Sequence, residues 1–224
     1  MHIEPGVVTG AKIVLSYATA FAALGLSAKS SIDAIRERGL MTLLGRSVFT
    51  SALVLFFFQV LPHQPVGVSE VHLILGSTLF LIFGPAAASI GLFMGLLIQG
   101  VFFAPFDLPQ YGMNVTTLLL PLFAMAAVSR RVISERTAYV DISYAQALKL
   151  SLTYQGGIVL WVAFWAFYGQ GFAVSNISAV ASFGVAYLSV VLLEPLIDLG
   201  ILAGAKCLKQ LKRSSLVEQR LFNE

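Results

Sequence analysis

The sequence predicts an all-α bundle of about seven transmembrane helices, and three observations predict it. Of its 224 residues 58% are hydrophobic and only 11% charged, where soluble domains carry about 25% charged residues, and the mean hydropathy is +0.86. A soluble sphere of this size could not hide so much apolar surface, so lipid must solvate much of it. The apolar residues also come in long runs, whereas the strands of a membrane barrel are about ten residues long and alternate in polarity. Finally, the basic residues segregate to alternate connections, as the positive-inside rule requires of a multi-pass protein.

The hydrophobic spans run roughly Val8–Leu26, Gly45–Leu61, Val71–Phe83, Ala86–Phe103, Val115–Val128, Ala147–Tyr168 and Ile177–Leu193. The third is short for a crossing that needs about 20 residues. Gly84-Pro85 separates it from the fourth, which suggests short, tilted or kinked helices packed against protein. Lys29, Arg36, Arg38 and Arg46 follow the first span, Arg130, Arg131, Arg136 and Lys149 follow the fifth, and Lys206, Lys209, Lys212, Arg213 and Arg220 lie in the tail. With the N-terminus outside and the C-terminus cytoplasmic, thirteen of the fourteen Lys and Arg face the cytoplasm, and only Lys12 does not.

Residues 1–224 therefore read as a single integral membrane domain, with residues 206–224 as a cytoplasmic tail, helical or disordered. The pI near 9.1 does not signal nucleic acid, because these bases flank spans and form no groove. The single Cys207 excludes a disulfide framework and a cysteine metal cluster. A cleaved signal peptide would begin with basic residues, and Met1-His2-Ile3-Glu4-Pro5-Gly6 does not.

All three histidines, His2, His63 and His72, fall at the outer face in this topology. His2 offers the sharpest chemistry. A bulky second residue disfavours removal of Met1, so a free amine, the His2 amide nitrogen and the His2 imidazole can chelate one ion in two fused rings. The first ring has five members and the second, closed through Nδ1, has six. Three nitrogens then lie in a plane with one corner open, and His72 is the best-placed candidate to fill it. Such a donor set suits Ni(II), Cu(II) or Co(II), whereas calcium and magnesium want oxygen donors. His63, in Pro62-His63-Gln64-Pro65, reads as a loop residue or a transient perch for the ion.

Intramembrane polar groups are costly and tend to face the bundle interior. Gln99 and Asn114 are candidates to support a ligand by hydrogen bonding or to join helices. Glu194 and Asp198 either pair with Lys206 or mark an exit route. Catalysis has no support, since there is no HExxH, no GxSxG and no phosphate-binding loop. ATP-driven transport would require another subunit to hydrolyse the nucleotide.

The chain resembles the CbiM/NikM type of substrate-binding membrane components of cobalt and nickel energy-coupling factor transporters. The matching residues are Met1-His2-Ile3 followed by Gly6, then Val71-His72-Leu73, Gly84-Pro85-Ala86-Ala87, Leu97-Ile98-Gln99, Gly112-Met113-Asn114 and Glu194. The resemblance implies a metal-binding N-terminal segment, residues 1–7. In it the ion is held by the Met1 amine, the His2 amide and imidazole, and His72. It implies no permanently bound cofactor, only transported Co(II) or Ni(II). It also implies a transmembrane coupling subunit, cytoplasmic ATPase subunits and a small accessory membrane protein as partners, with small residues such as Ala18 and Ala22 docking a partner helix. The chain departs from its relatives at Glu4-Pro5, at Ala104–Pro109 in place of a Gly-rich stretch, at Tyr187 and near Thr117. These changes leave the chelating residues intact and bear on selectivity and on the coupling partner. The rival readings are a component that binds an organic micronutrient, and a membrane scaffold without transport.

Overall fold

The computed structural model describes residues 2–134 and 136–211. Among them, six helices are long and apolar enough to cross a membrane. These are α1 (Ile13–Arg38), α2 (Leu40–Gln59), α3 (Gly76–Phe102), α4 (Tyr111–Val132), α5 (Tyr144–Gln170) and α6 (Val174–Leu211). Between α2 and α3, strands β1 (Gln64–Val66) and β2 (Ser69–Val71) pair antiparallel, with Pro65 opposite Glu70.

Helix α3 is not one rod. Gly84 has φ 83° and ψ 168°, far from helical values, and Pro85 donates no N–H. Beyond Gly84 the chain advances in step with α2. Thr50 Oγ1 donates to Ala87 O, Gly91 packs on Thr50, Gly95 packs on Val54, and Gln99 Nε2 points at Phe58 O. Before Gly84 it advances in step with α6 instead. The Ile74 N–H bonds Glu194, Ser77 and Thr78 bond Asp198, and Leu81 packs beside Leu199 and Leu202.

Helices α2 and α6 run oppositely. α2 starts near Arg46, which shares a cytoplasmic cavity with Gly84, Arg38 and Arg130, whereas α6 arrives at that face, where Lys206 Nζ donates to Ile142 O. Two segments parallel to antiparallel helices cannot be collinear, so the chain reverses at Gly84 and crosses seven times. The descending arm has about 10 Å of non-helical chain over residues 72–74 and about 12 Å of helix over residues 76–83. That is short of the ~30 Å hydrocarbon core. Such an arm is tolerated only inside protein.

Several connections differ from the sequence reading. The loop expected after the first span is absent. α1 continues through Lys29 and Arg36 to Arg38, and Gly39 alone (φ 84°) turns the chain into α2. Lys149 lies inside α5, whose start is set by a capping box between Ser143 and Gln146. Lys206 and Lys209 prolong α6 rather than begin a separate tail, and residues 212–224 lie outside the described residues. Lys206 pairs with a loop carbonyl and not with Glu194 or Asp198, which corrects that expectation.

The bundle is apolar outside and polar within, as a lipid solvent demands. Phe21, Met41, Val48, Leu160 and Leu192 point outward, while Thr50, Ser89, Thr116, Gln155 and Glu194 are buried. Two carboxylates of α6, one turn apart on one face, cap the start of the descending arm. Glu194 accepts from the Ile74 N–H and the Gln155 amide, and Asp198 accepts from the Ser77 and Thr78 hydroxyls. The arrangement also supports the buried Leu75, whose left-handed φ of 53° costs about 1–2 kcal/mol.

The outer face carries the N-terminal segment. Lys12, the one Lys or Arg at the outer face among the described residues, donates to Tyr168 O at 3.0 Å and Gly169 O at 2.9 Å, where it neutralises the carbonyl end of α5. Residues 7 and 8 pack directly on this end: a Cβ on Gly169 would stand 1.9 Å from Val7 O. Gly169→Ala is therefore expected to lift the N-terminal segment, with overpacking costing roughly 1–3 kcal/mol, seen as faster hydrogen exchange at the Ile3 amide. Gly156→Ala, on the same helix with nothing within 4 Å, is the matched control and should leave exchange unchanged.

Candidate metal centre

Residues 2–4 lie antiparallel beside the start of β2 through an isolated bridge. Ile3 bridges Ser69 antiparallel, the Glu70 N–H donates to His2 O at 2.9 Å, and the Glu4 N–H donates to Val68 O at 3.1 Å. Ser69 Oγ adds a bond to His2 O at 2.8 Å, and Asn114 Oδ1 accepts from the Ile3 N–H at 2.7 Å. Ile3 is fully buried. An apolar anchor and these hydrogen bonds thus hold His2 in place at 2% exposure.

β2 and the residue that follows it supply the opposing groups, Glu70 and His72. Side chains alternate along a strand, so Glu70 and His72 share one face, the face that meets His2. His2 Nδ1 lies 3.3 Å from His72 Nε2. Glu70 Oε2 lies 2.8 Å from His2 Nδ1 and 2.7 Å from His72 Nε2. These three groups converge as metal ligands would. Phe58 closes one side, its ring 6.0 Å from that of His2 and 5.4 Å from that of His72.

The distal nitrogens, His2 Nε2 and His72 Nδ1, are buried without a hydrogen-bond partner. The Asp107 carboxylate comes within 4.0 Å of His2 Nε2. Burial lowers both imidazoles, His2 to about 4 and His72 well below its usual range. Burial alone would raise Glu70, but hydrogen bonds from the two imidazoles prevail and hold its carboxyl well below the usual range. At neutral pH the centre is thus a carboxylate between two neutral rings.

A pH dependence follows. A free histidine near 6.5 takes up a proton that docked His2 refuses until about pH 4, so acid favours the released segment. The His2 contribution to docking should be intact above pH 6.5 and be lost progressively from there to about 4, and Asp107→Asn removes the neighbouring carboxyl, whose contribution has the opposite sign. Hydrogen exchange at the Ile3 and Glu70 amides over that window should show it.

The sequence candidates distribute as follows. His2 and His72 meet. Asn114 braces the segment through Ile3. Gln99 is buried beside the His2 ring with its Oε1 unpartnered. His63 does not join the converging donors; its ring stacks on that of His72 at 5.0 Å and 11°. Glu194 contacts the Ile74 backbone, two residues beyond His72, and not the rings. Met1 lies outside the described residues. Glu70 and Asp107 were not anticipated. The one available signal for Glu70 was its i−2 spacing from His72, which becomes meaningful only if that stretch is a strand.

The family model described as "Cobalt uptake substrate-specific transmembrane region" matches residues 2–209. The fold is shared with a crystal structure described as a transition metal transporter, at 17% identity, TM-score 0.67 and full coverage of both chains. A truncated transition metal transporter is similar at 16% identity and TM-score 0.63, covering 94% of this chain and 99% of that one. No curated protein matches the chain significantly. The chain belongs to the family of cobalt uptake substrate-specific transmembrane components, and it is a multi-pass protein of the cell membrane.

Proposed function

We propose that this chain is the substrate-binding component of an energy-coupling factor importer, and that it captures Co(II) or Ni(II) at the outer face for ATP-driven uptake. The observation that carries this reading is the convergence of His2 Nδ1 and His72 Nε2, 3.3 Å apart and buried. Nδ1 is the nitrogen that closes a six-membered ring with the His2 amide, and it is the one that faces His72. The donor set of the proposal is the Met1 amine, the His2 amide, His2 Nδ1 and His72 Nε2. Nitrogen donors of this kind favour Ni(II), Cu(II) and Co(II).

The partners of the proposal are a transmembrane coupling subunit, ATPase subunits and a small accessory membrane protein. Ala18, Ala22 and Gly25 support a helix-docking surface, since they leave a lipid-facing strip of α1 uncovered where another helix can approach closely.

His72→Ala tests the assignment. Metal bound per purified chain should fall by ~10–100-fold in affinity or more, the range seen when even a ligand's supporting partner is lost. Unchanged loading with both Co(II) and Ni(II) would sink the assignment. A component for an organic micronutrient would bind no metal in either form.

A further inference from the structure

We propose that Glu70 is itself a ligand, adding an oxygen donor to the ion held by His2 and His72; this rests on the reading above. The first support is spacing. Around an ion with bonds of about 2.0–2.1 Å, donors at right angles stand about 2.8–3.0 Å apart and tetrahedrally placed ones about 3.3 Å. The edges of the triangle formed by Glu70 Oε2, His2 Nδ1 and His72 Nε2 are 2.8, 2.7 and 3.3 Å. The three atoms already have the spacing of one face of a coordination polyhedron, so an ion can sit above that face after small shifts and transfer of each ring proton to the distal nitrogen, which leaves both rings neutral.

The second support is which nitrogens the carboxylate touches. A carboxylate that merely orients a metal-bound histidine accepts from the ring nitrogen turned away from the ion. Here those distal nitrogens, His2 Nε2 and His72 Nδ1, are buried without a hydrogen bond, the Asp107 carboxylate standing 4.0 Å from His2 Nε2. Glu70 instead lies against the two nitrogens that face each other. Its backbone is fixed in register with His2 through the Glu70 N–H to His2 O bond, so the side chain cannot drift off by a strand slip. Its side chain remains 19% exposed, reachable from outside.

The third support is charge. A planar set of four nitrogens with one deprotonated amide leaves one positive charge on a divalent ion in a largely dry pocket. A carboxylate cancels it, which lowers the penalty for burying the ion. An oxygen donor out of the nitrogen plane also changes selectivity. Four planar nitrogens favour square-planar Ni(II) and Cu(II); a fifth donor relieves that preference and makes Co(II) a better cargo.

The test is X-ray absorption at the nickel edge on the purified full-length chain loaded with Ni(II), beside Glu70→Gln. Wild type should lack the 1s→4pz pre-edge feature of four-coordinate planar nickel. E70Q should gain that feature, bind Ni(II) about 10–100-fold more weakly and lose more affinity for Co(II) than for Ni(II). A planar wild-type spectrum overturns the inference, with the metal-capture reading left standing, and needs no variant to fold. An E70Q spectrum identical to a non-planar wild type overturns it as well. A wild-type chain that takes up neither Ni(II) nor Co(II) overturns the metal-capture reading and this inference with it.

Discussion

Two residues added ahead of Met1 are expected to lower metal affinity by more than ~100-fold while leaving the bundle folded. Loss of a supporting partner alone costs 10–100-fold, and here ligands themselves are lost. Each added residue displaces the amine by up to ~3.5 Å, and the five-membered ring that it closes with the His2 amide disappears. The scaffold does not depend on it: Ile3 keeps its bond to Asn114 and its bridge to Ser69, and the extension begins beyond them. The length of the extension matters. A single added residue leaves an amine, two amides and the His2 imidazole in series, a four-nitrogen set that needs no His72. The one-residue form should therefore bind Ni(II) and tolerate His72→Ala, while the two-residue form should do neither. Metal quantified per chain, with thermal unfolding as the check on folding, distinguishes these outcomes. A two-residue extension that loads normally would remove the terminal amine from the site.

Much of this architecture can be read from residue types. The spans follow from apolar runs, and their orientation follows from thirteen cations on one side. The reversal at Gly84 is legible because the 13-residue apolar stretch Val71–Phe83, followed by Gly84-Pro85, is too short to cross as an ordinary helix. The continuation of α1 to Arg38 is not legible from hydropathy. Helix formation tolerates Lys, Arg and Glu as readily as Leu, so the helix outlasts the apolar run. The pairing of Ile3 with Ser69 is non-local, between segments of three residues whose period cannot be counted, and Glu70 is hidden for the same reason. An acidic residue in a polar outer loop becomes a candidate donor only when strand alternation turns it toward His2. Gln99 and Asn114 were recognisable as buried polar groups, but only the fold separates them: Asn114 grips a backbone amide, and Gln99 retains an unpartnered oxygen beside the ring. Lys12 looked like an exception to charge segregation and has a local cause, the carbonyl end of α5.

Replacing Glu194 by Leu should destabilise the chain by roughly 2–6 kcal/mol, because the Ile74 N–H and the Gln155 amide both lose their acceptor in a fully buried place and each unsatisfied donor costs about 1–3 kcal/mol. Gln155 is held on its other side by the Tyr187 hydroxyl at 2.6 Å, so it cannot swing away to find a new partner cheaply. The Ile74 amide is worse placed, since the left-handed Leu75 follows it and leaves that backbone little freedom. Asp198→Leu should cost less. Its partners are the hydroxyls of Ser77 and Thr78, and a hydroxyl that loses its acceptor can still rotate about its C–O bond towards another one. Glu194→Gln should fall between, retaining one acceptor oxygen. The expected order of thermal stability in detergent is wild type, then E194Q and D198L, then E194L lowest. The same order should appear in metal affinity, although Glu194 touches no metal ligand. It fixes the backbone two residues beyond His72, and a ring that must meet His2 Nδ1 at a definite distance cannot do so from a loosened chain. An E194L chain as stable as wild type would show that the descending arm is held by its apolar contacts alone. One that unfolds early yet binds metal normally would uncouple the arm from the site.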